Sequence, residues 1–170
     1  MNQFSTDAAD FTNMYAGLLH LEPDSPGFKQ AVTSYHKAMS TSPRIERVVT
    51  ALDLYRAALE SEHVKAHFIL LMLVVDRLFS PGLRSNVVVR RLRSKVGRLL
   101  GETVPEWVTE DYRMRNRMLY GTPRDEKLDI ATLRDEVCPR WRNLLRNLLR
   151  EILVKDKIRL FRSTVTLKRI

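Results

Sequence analysis

The chain has 170 residues and a mass of 19.8 kDa, the size of one domain and enough to enclose a hydrophobic core. Lys and Arg number 29 against 20 Asp and Glu, which gives a formal net charge of +9, and 44% of the residues are hydrophobic. This balance excludes a disordered or fibrous chain. The longest apolar run covers residues 68–75, far fewer than the roughly 20 that a membrane span needs. The N-terminus is polar and acidic, unlike a signal peptide, and a lone Cys138 fits a reducing compartment, so we expect a cytoplasmic protein.

The N-terminal half shows apolar residues at helical spacing. Residues 1–44 form a lead-in that the Pro and Gly residues of the segment 23–27 interrupt. Within it, the spacing predicts a short helix over 28–39. A second helix is predicted over 43–60 and a third over 63–79. The third is apolar on nearly every side in its later turns, which is typical of a helix in the middle of a bundle.

The C-terminal half continues the helical pattern. Residues 84–100 repeat apolar positions at three and four, and Gly101 is placed to end that helix as a C-cap. A helix over 105–120 follows, and a long one is predicted over 130–158. Pro139 lies inside the last helix, where we expect a kink or a break.

The order of these elements predicts an all-α bundle of about six helices, because neither βαβ alternation nor a sustained heptad or internal repeat is present. We place the body of the domain at residues 45–158 and a basic tail at residues 159–170.

The positive charge is concentrated towards the C-terminus. Residues 1–80 carry 7 basic and 9 acidic side chains, residues 81–138 carry 12 and 9, and residues 139–170 carry 10 and 2, so the net charges are −2, +3 and +8. This asymmetry favours an anionic partner, RNA or DNA first and an acidic protein surface second. The alternative is a solvated face with a charged tail. Two clusters contribute most, one with no acidic residue in the predicted helix 84–100 and one along the last helix at four-residue steps: Arg84, Arg90, Arg91, Arg93, Lys95, Arg98, and Arg142, Arg146, Arg150.

Few residues suggest a metal or a nucleophile. His63 and His67 share a helix face, but Glu62 precedes both, whereas zinc proteases place a glutamate between their histidines. Cys138 lies in an apolar helical pattern, which favours a buried structural thiol. Glycine-rich phosphate loops and Cys-x-x-Cys pairs are missing from the sequence. We therefore expect no metal and no cofactor.

One segment, residues 111–121, combines arginines with apolar residues. Arg113, Arg115 and Arg117 follow one another at two-residue steps, so a helix spreads them over more than one face. Arg115 shares a face with Leu119 and is drawn towards the packed side. A guanidinium there needs a partner, which indicates either an anion site or an internal carboxylate. The alternative is an ordinary basic helix that ends on an aromatic residue.

This segment resembles the signature of HEPN domains (higher eukaryote and prokaryote nucleotide-binding), in which an arginine and a polar residue precede a histidine. Many members show Tyr-x-x-Arg-Asn-x-x-x-His-Gly. Here Tyr112, Arg115, Asn116 and Gly121 match that pattern, and Tyr120 stands where the histidine belongs. The upstream helices and the long final helix resemble the Apea-like branch over roughly residues 45–155.

The resemblance implies an all-α, HEPN-like bundle that forms a homodimer, with two copies of the motif facing one cleft. Active members are metal-independent endoribonucleases in antiviral defence or toxin–antitoxin systems. It implies a catalytic set of Arg115 on the scissile phosphate, Asn116 orienting it, and Tyr120 in the position of the base. The surrounding arginines are expected to bind RNA: Arg113, Arg117, Arg142, Arg146 and Arg150.

The tyrosine leaves the activity open. Tyrosine titrates near 10 and histidine near 6.5, so Tyr120 is a poor base at neutral pH, and losing a general base costs roughly 10²–10⁴-fold in rate. The sequence therefore allows a ribonuclease, a weakened or inactive relative that still binds RNA, a non-catalytic module that dimerises or binds a cognate protein partner, and a basic helical adaptor without a site.

Overall fold

A computed structural model describes residues 11–23, 25–40, 42–79, 85–101, 103–120 and 129–157. All regular structure in these ranges is helical, which confirms the predicted all-α bundle. Seven helices are described, one more than the six expected, because the lead-in begins with a π-helical turn of its own. They are α1 Thr12–Ala16, α2 Pro26–Ser40, α3 Ser42–Glu60, α4 Val64–Phe79, α5 Ser85–Leu100, α6 Trp107–Tyr120 and the continuous α7, which comprises Ile130–Thr132, a π-helical stretch Leu133–Val137 and Cys138–Val154.

Helix α4 is the centre of the bundle. It packs against α3, α5, α6 and α7. Phe68, Leu71 and Val75 are fully buried there, and removing each such side chain from water stabilises the fold by about 1.5–3 kcal/mol. The prediction that this apolar helix lies inside the bundle is confirmed. In the described ranges, no helix combines the length and the apolar character that crossing a bilayer would require.

The lead-in packs onto the same core. Phe11, Tyr15, Phe28 and Tyr35 form an aromatic cluster with ring centroids 5.4 to 6.0 Å apart. Their buried side chains are continuous with those of the bundle, and α2 packs on α3 and α7. The boundary at residue 44 stays a prediction, and the tail, residues 159–170, lies outside the described residues.

The helix ends follow local chemistry. Gly101 has a φ of +71°, as expected for a C-cap glycine. Pro139 does not break α7. It lies in the first turn of the piece Cys138–Val154, directly after the π-helical stretch, a position that tolerates proline. The helix ends at Val154, earlier than predicted, and Asp156 beyond it has a φ of +46°.

Candidate functional site

A buried carboxylate on α6, that of Asp111, connects this helix to α7. The side chain of Asp111 is only 5% exposed. Its Oδ2 accepts hydrogen bonds from Arg140 Nε at 2.9 Å and from Trp141 Nε1 at 2.8 Å, and its Oδ1 accepts one from Arg140 Nη2. Burial raises the pKa of the Asp111 carboxyl, and the bonds from Arg140 and Trp141 oppose that rise. This cluster is not predictable from the sequence, because nothing in the local pattern pairs residue 111 with residues 140 and 141.

Two tryptophans complete the same junction. The rings of Trp107 and Trp141 pack edge to face with centroids 5.2 Å apart. The Arg140 guanidinium lies 4.8 Å from the centroid of Trp107, a cation–π contact. The start of α6 is therefore held against α7 by an ion pair, a hydrogen bond and two aromatic contacts.

Arg115 points into the protein and not into solvent. The residue is 8% exposed, and its Nη2 forms an ion pair with Asp76 of α4. The Tyr112 hydroxyl donates a hydrogen bond to the other oxygen of the same carboxylate. Of the two partners that the sequence left open for this guanidinium, the structure contains the internal carboxylate.

Asn116 extends this cluster towards the surface. Its Oδ1 accepts a hydrogen bond of 2.8 Å from Arg115 Nη1, which sets the orientation of the side-chain amide. The Arg115 guanidinium also stacks on the Tyr112 ring, 5.5 Å from the centroid. Its buried Nε has no hydrogen-bond partner among the described residues. The motif residues 112, 115 and 116 thus form one connected group.

Tyr120 is the last residue of α6. Its side chain lies outside the described part of the structure, as do residues 121–128. The role that the motif assigns to this residue stays a prediction.

A groove of about 410 Å³ runs between α5 and α6, beside the motif. Tyr112 closes one side, and the other lining residues are Val89, Arg90, Arg93, Thr109, Arg113 and Asn116. Arg93 Nη2 donates a hydrogen bond of 2.9 Å to Thr109 Oγ1 across the groove. Three guanidinium groups therefore line this groove, and among the described residues no carboxylate contributes to its lining.

Only one arginine of the groove had been assigned to RNA from the sequence, namely Arg113. Arg90 and Arg93 belong to the basic cluster that favours an anionic partner, but the sequence does not single them out. A signal for them existed, since the predicted helix 84–100 contains no acidic residue. The pairing of that helix with α6 could not be foreseen, because charge composition carries no information about which helices are neighbours.

The basic ridge predicted along the last helix, formed by Arg142, Arg146 and Arg150, lies outside the groove. Arg142 and Arg150 are exposed on α7. Arg146, between them, approaches His20 Nε2 at 3.2 Å and donates to Asn143 Oδ1 at 3.0 Å. None of these three arginines lines the groove. Arg117 is exposed on α6 and is likewise outside it.

The residues considered for metal or thiol chemistry lie in two places, with His63 and His67 one turn apart at the start of α4 and Cys138 on α7. Burial lowers the pKa of His67, and the charge of Arg142 lowers it further. Burial raises the pKa of the Cys138 thiol to about 11, which makes it a weak nucleophile. In the described ranges, no three His, Cys, Asp or Glu side chains are grouped as metal ligands would be.

Comparison with protein-family models, with curated proteins and with solved structures gives no match. The resemblance to HEPN domains therefore depends on the motif in the sequence.

Proposed function

We propose that the protein is an RNA-directed protein of the HEPN type, which acts as a homodimer in antiviral defence or in a toxin–antitoxin system. The charge of the C-terminal helices carries the RNA-directed part of this proposal, and the match of Tyr112, Arg115 and Asn116 to the motif supports the HEPN type. Helix α5 alone contains five Arg and Lys and no Asp or Glu. The exposed cations of α5, α6 and α7 form a footprint typical of nucleic-acid binding: Arg90, Arg91, Arg93, Arg98, Arg113, Arg117, Arg142 and Arg150.

Binding is retained and cleavage is weakened in this proposal. Arg115 is engaged by Asp76, so the guanidinium would have to leave a buried ion pair before it could neutralise a phosphate. Tyr120 replaces the histidine of the motif and is a poor proton acceptor at neutral pH. Both features support a protein that holds RNA and cuts it slowly or not at all.

The first test is RNA binding and cleavage without metal. A mixed RNA pool is incubated with the protein in EDTA, and binding is measured at about 50 and about 200 mM salt, a range over which phosphate contacts weaken steeply. We expect salt-sensitive binding with little cleavage. Absence of binding at the lower salt concentration contradicts the proposal.

The second test separates a weakened enzyme from a module that only binds a protein partner. The neutralised Arg115 favours the second candidate, and Tyr120→His discriminates between the two. New cleavage by this variant shows a competent site that lacks its base. Unchanged inactivity, together with a dimer that captures no RNA, favours the binding module.

A further inference from the structure

We propose that the groove between α5 and α6 binds an unpaired segment of RNA, with strand phosphates on Arg90, Arg93 and Arg113. This inference depends on the proposed function and locates the RNA on one surface of the protein. It places the main RNA contact in the groove and not on the arginine ridge of α7. The sequence alone favours the ridge.

The size and walls of the groove suit one nucleotide and its flanking phosphates. Its volume of about 410 Å³ is at the lower end of the roughly 300–1,000 Å³ typical of ligand sites. Val89 supplies an apolar wall for the face of a base. Arg93 is oriented by its bond to Thr109, and since a guanidinium has five N–H donors, others remain for a phosphate.

The arginines of the groove have no acidic partner within the described part of the chain. Arg90, Arg93 and Arg113 form no ion pair with a described residue. The carboxylates of Asp76 and Asp111 are paired with Arg115 and Arg140, and Glu110, beside Thr109 on α6, is exposed and does not line the groove. The groove therefore presents guanidinium groups to which an external anion can bind.

The groove also carries an oriented polar group. Asn116 contributes to its wall, and its amide is set by the bond from Arg115. A primary amide can bond to a base edge or a ribose hydroxyl. Bases in a duplex are stacked and paired, so only an unpaired strand can present one to such a groove.

The experiment compares three variants that each remove three positive charges. The groove variant is Arg90→Gln/Arg93→Gln/Arg113→Gln, and the ridge variant is Arg142→Gln/Arg146→Gln/Arg150→Gln. The control is Lys29→Gln/Arg56→Gln/Lys65→Gln, on α2, α3 and α4. Binding of an unstructured RNA of about 12 nucleotides is measured by fluorescence anisotropy as salt is varied.

We expect the groove variant to bind roughly 10–100-fold more weakly and to lower the slope of log K against log salt by about 2, as the loss of three single-strand phosphate contacts requires. The control variant is expected to stay within about twofold of the wild type, since it removes the same charge away from the site.

The outcomes separate the groove from the proposed function. Wild-type RNA binding that survives in the groove variant overturns the inference, and loss in the ridge variant would then move the site to α7. An equal loss in all three variants also overturns it, because net charge would be the cause. If the wild type binds no RNA, the proposed function itself fails.

Two further measurements test the chemical class of the occupant and cover the case in which the triple variant does not fold. A poly-glutamate peptide that binds as tightly as RNA, with the same loss in the groove variant, overturns RNA as the occupant. If the triple groove variant does not fold, Arg90→Gln and Arg113→Gln are tested singly, and each is expected to weaken RNA binding by roughly 3–10-fold. Wild-type affinity in both single variants would contradict the inference.

Discussion

Two tyrosine–aspartate pairs in this protein have the same chemistry and different surroundings. In the lead-in region, the Tyr15 hydroxyl donates to Asp53 Oδ1 of α3 at 2.5 Å. In the C-terminal region, the Tyr112 hydroxyl donates to Asp76 of α4. Asp76 also holds the buried guanidinium of Arg115, so the second pair connects the core to the groove.

The two regions also differ in the charge of one helix each, α3 in the first region and α5, which lines the groove, in the second. Helix α3 carries three basic and three acidic residues, whereas α5 carries five basic residues and no acidic one. Both helices bury an apolar stripe, with Leu52 in α3 and Leu92 in α5 nearly or fully inaccessible. Packing therefore explains the apolar residues of both helices and does not explain the excess charge of α5, most of which is exposed.

The largest expected difference concerns the two aspartates. Asp76→Ala leaves the Arg115 guanidinium buried without its counter-charge, and we expect a loss of about 3 kcal/mol in the free energy of unfolding. Asp53→Ala removes only the acceptor of the Tyr15 hydroxyl, and we expect about 1 kcal/mol. Urea denaturation of both variants measures the difference, and equal losses would show that Arg115 is not stabilised by Asp76.

Variants of the two tyrosines separate an effect on stability from an effect on RNA binding. Tyr112→Phe and Tyr15→Phe each remove one hydroxyl, and each is expected to cost about 1 kcal/mol of stability. Only Tyr112→Phe loosens Asp76 and, through Arg115, the orientation of Asn116. RNA affinity should therefore fall in Tyr112→Phe and stay at the wild-type value in Tyr15→Phe. A parallel change in both would remove the distinction between the two regions.

His67 reports on the packing of α4 against α7, because it lies on α4 and its pKa is affected by the charge of Arg142 on α7. Its pKa is below 6.5, first through burial and then through Arg142. Below pH 6.5 the unfolded chain therefore binds more protons than the folded one, and the stability supplied by this residue falls as the pH is lowered.

NMR titration of the imidazole tests this account. Arg142→Gln is expected to raise the pKa of His67 part of the way towards 6.5, and His67→Gln is expected to flatten the loss of stability below pH 6.5. An unchanged pKa in Arg142→Gln would assign the whole shift to burial.

The last prediction concerns repulsion between the positive charges of α5, which is expected to change the stability only slightly. Burial lowers the pKa of Lys95, and the charges of Arg98 and Arg91 add to this. Arg98→Gln removes one like-charge neighbour and should stabilise the fold by about 0.3 kcal/mol at low salt. The urea midpoint measures the gain, which should vanish in high salt. Lys65→Gln on α4 is the control, with no expected gain. A loss of stability in Arg98→Gln would show that α5 is not repulsive.

Much of the fold could be predicted from local pattern. The helix ends near Gly101 and at Tyr120 follow from glycine and proline positions, and the burial of α4 follows from its apolar composition. The continuity of α7 through Pro139 could not be predicted, because nothing in the local pattern indicates the π-helical stretch that precedes the proline. For the site, the spacing of the motif placed Arg115 on the packed side but could not name its partner, which comes from α4, 39 residues earlier in the chain.

The helical class, the positions of most helices and the accumulation of charge towards the C-terminus follow from the amino-acid sequence alone, because these depend on residues close together in the chain. Which cations are exposed depends on how the helices pack. Arg115 and Arg140 pair with Asp76 and Asp111, whereas the arginines of α5 and α6 come together around an open groove. The physical reason is that a buried charge requires a counter-charge, and only helix packing determines which acidic residue is near enough to supply it.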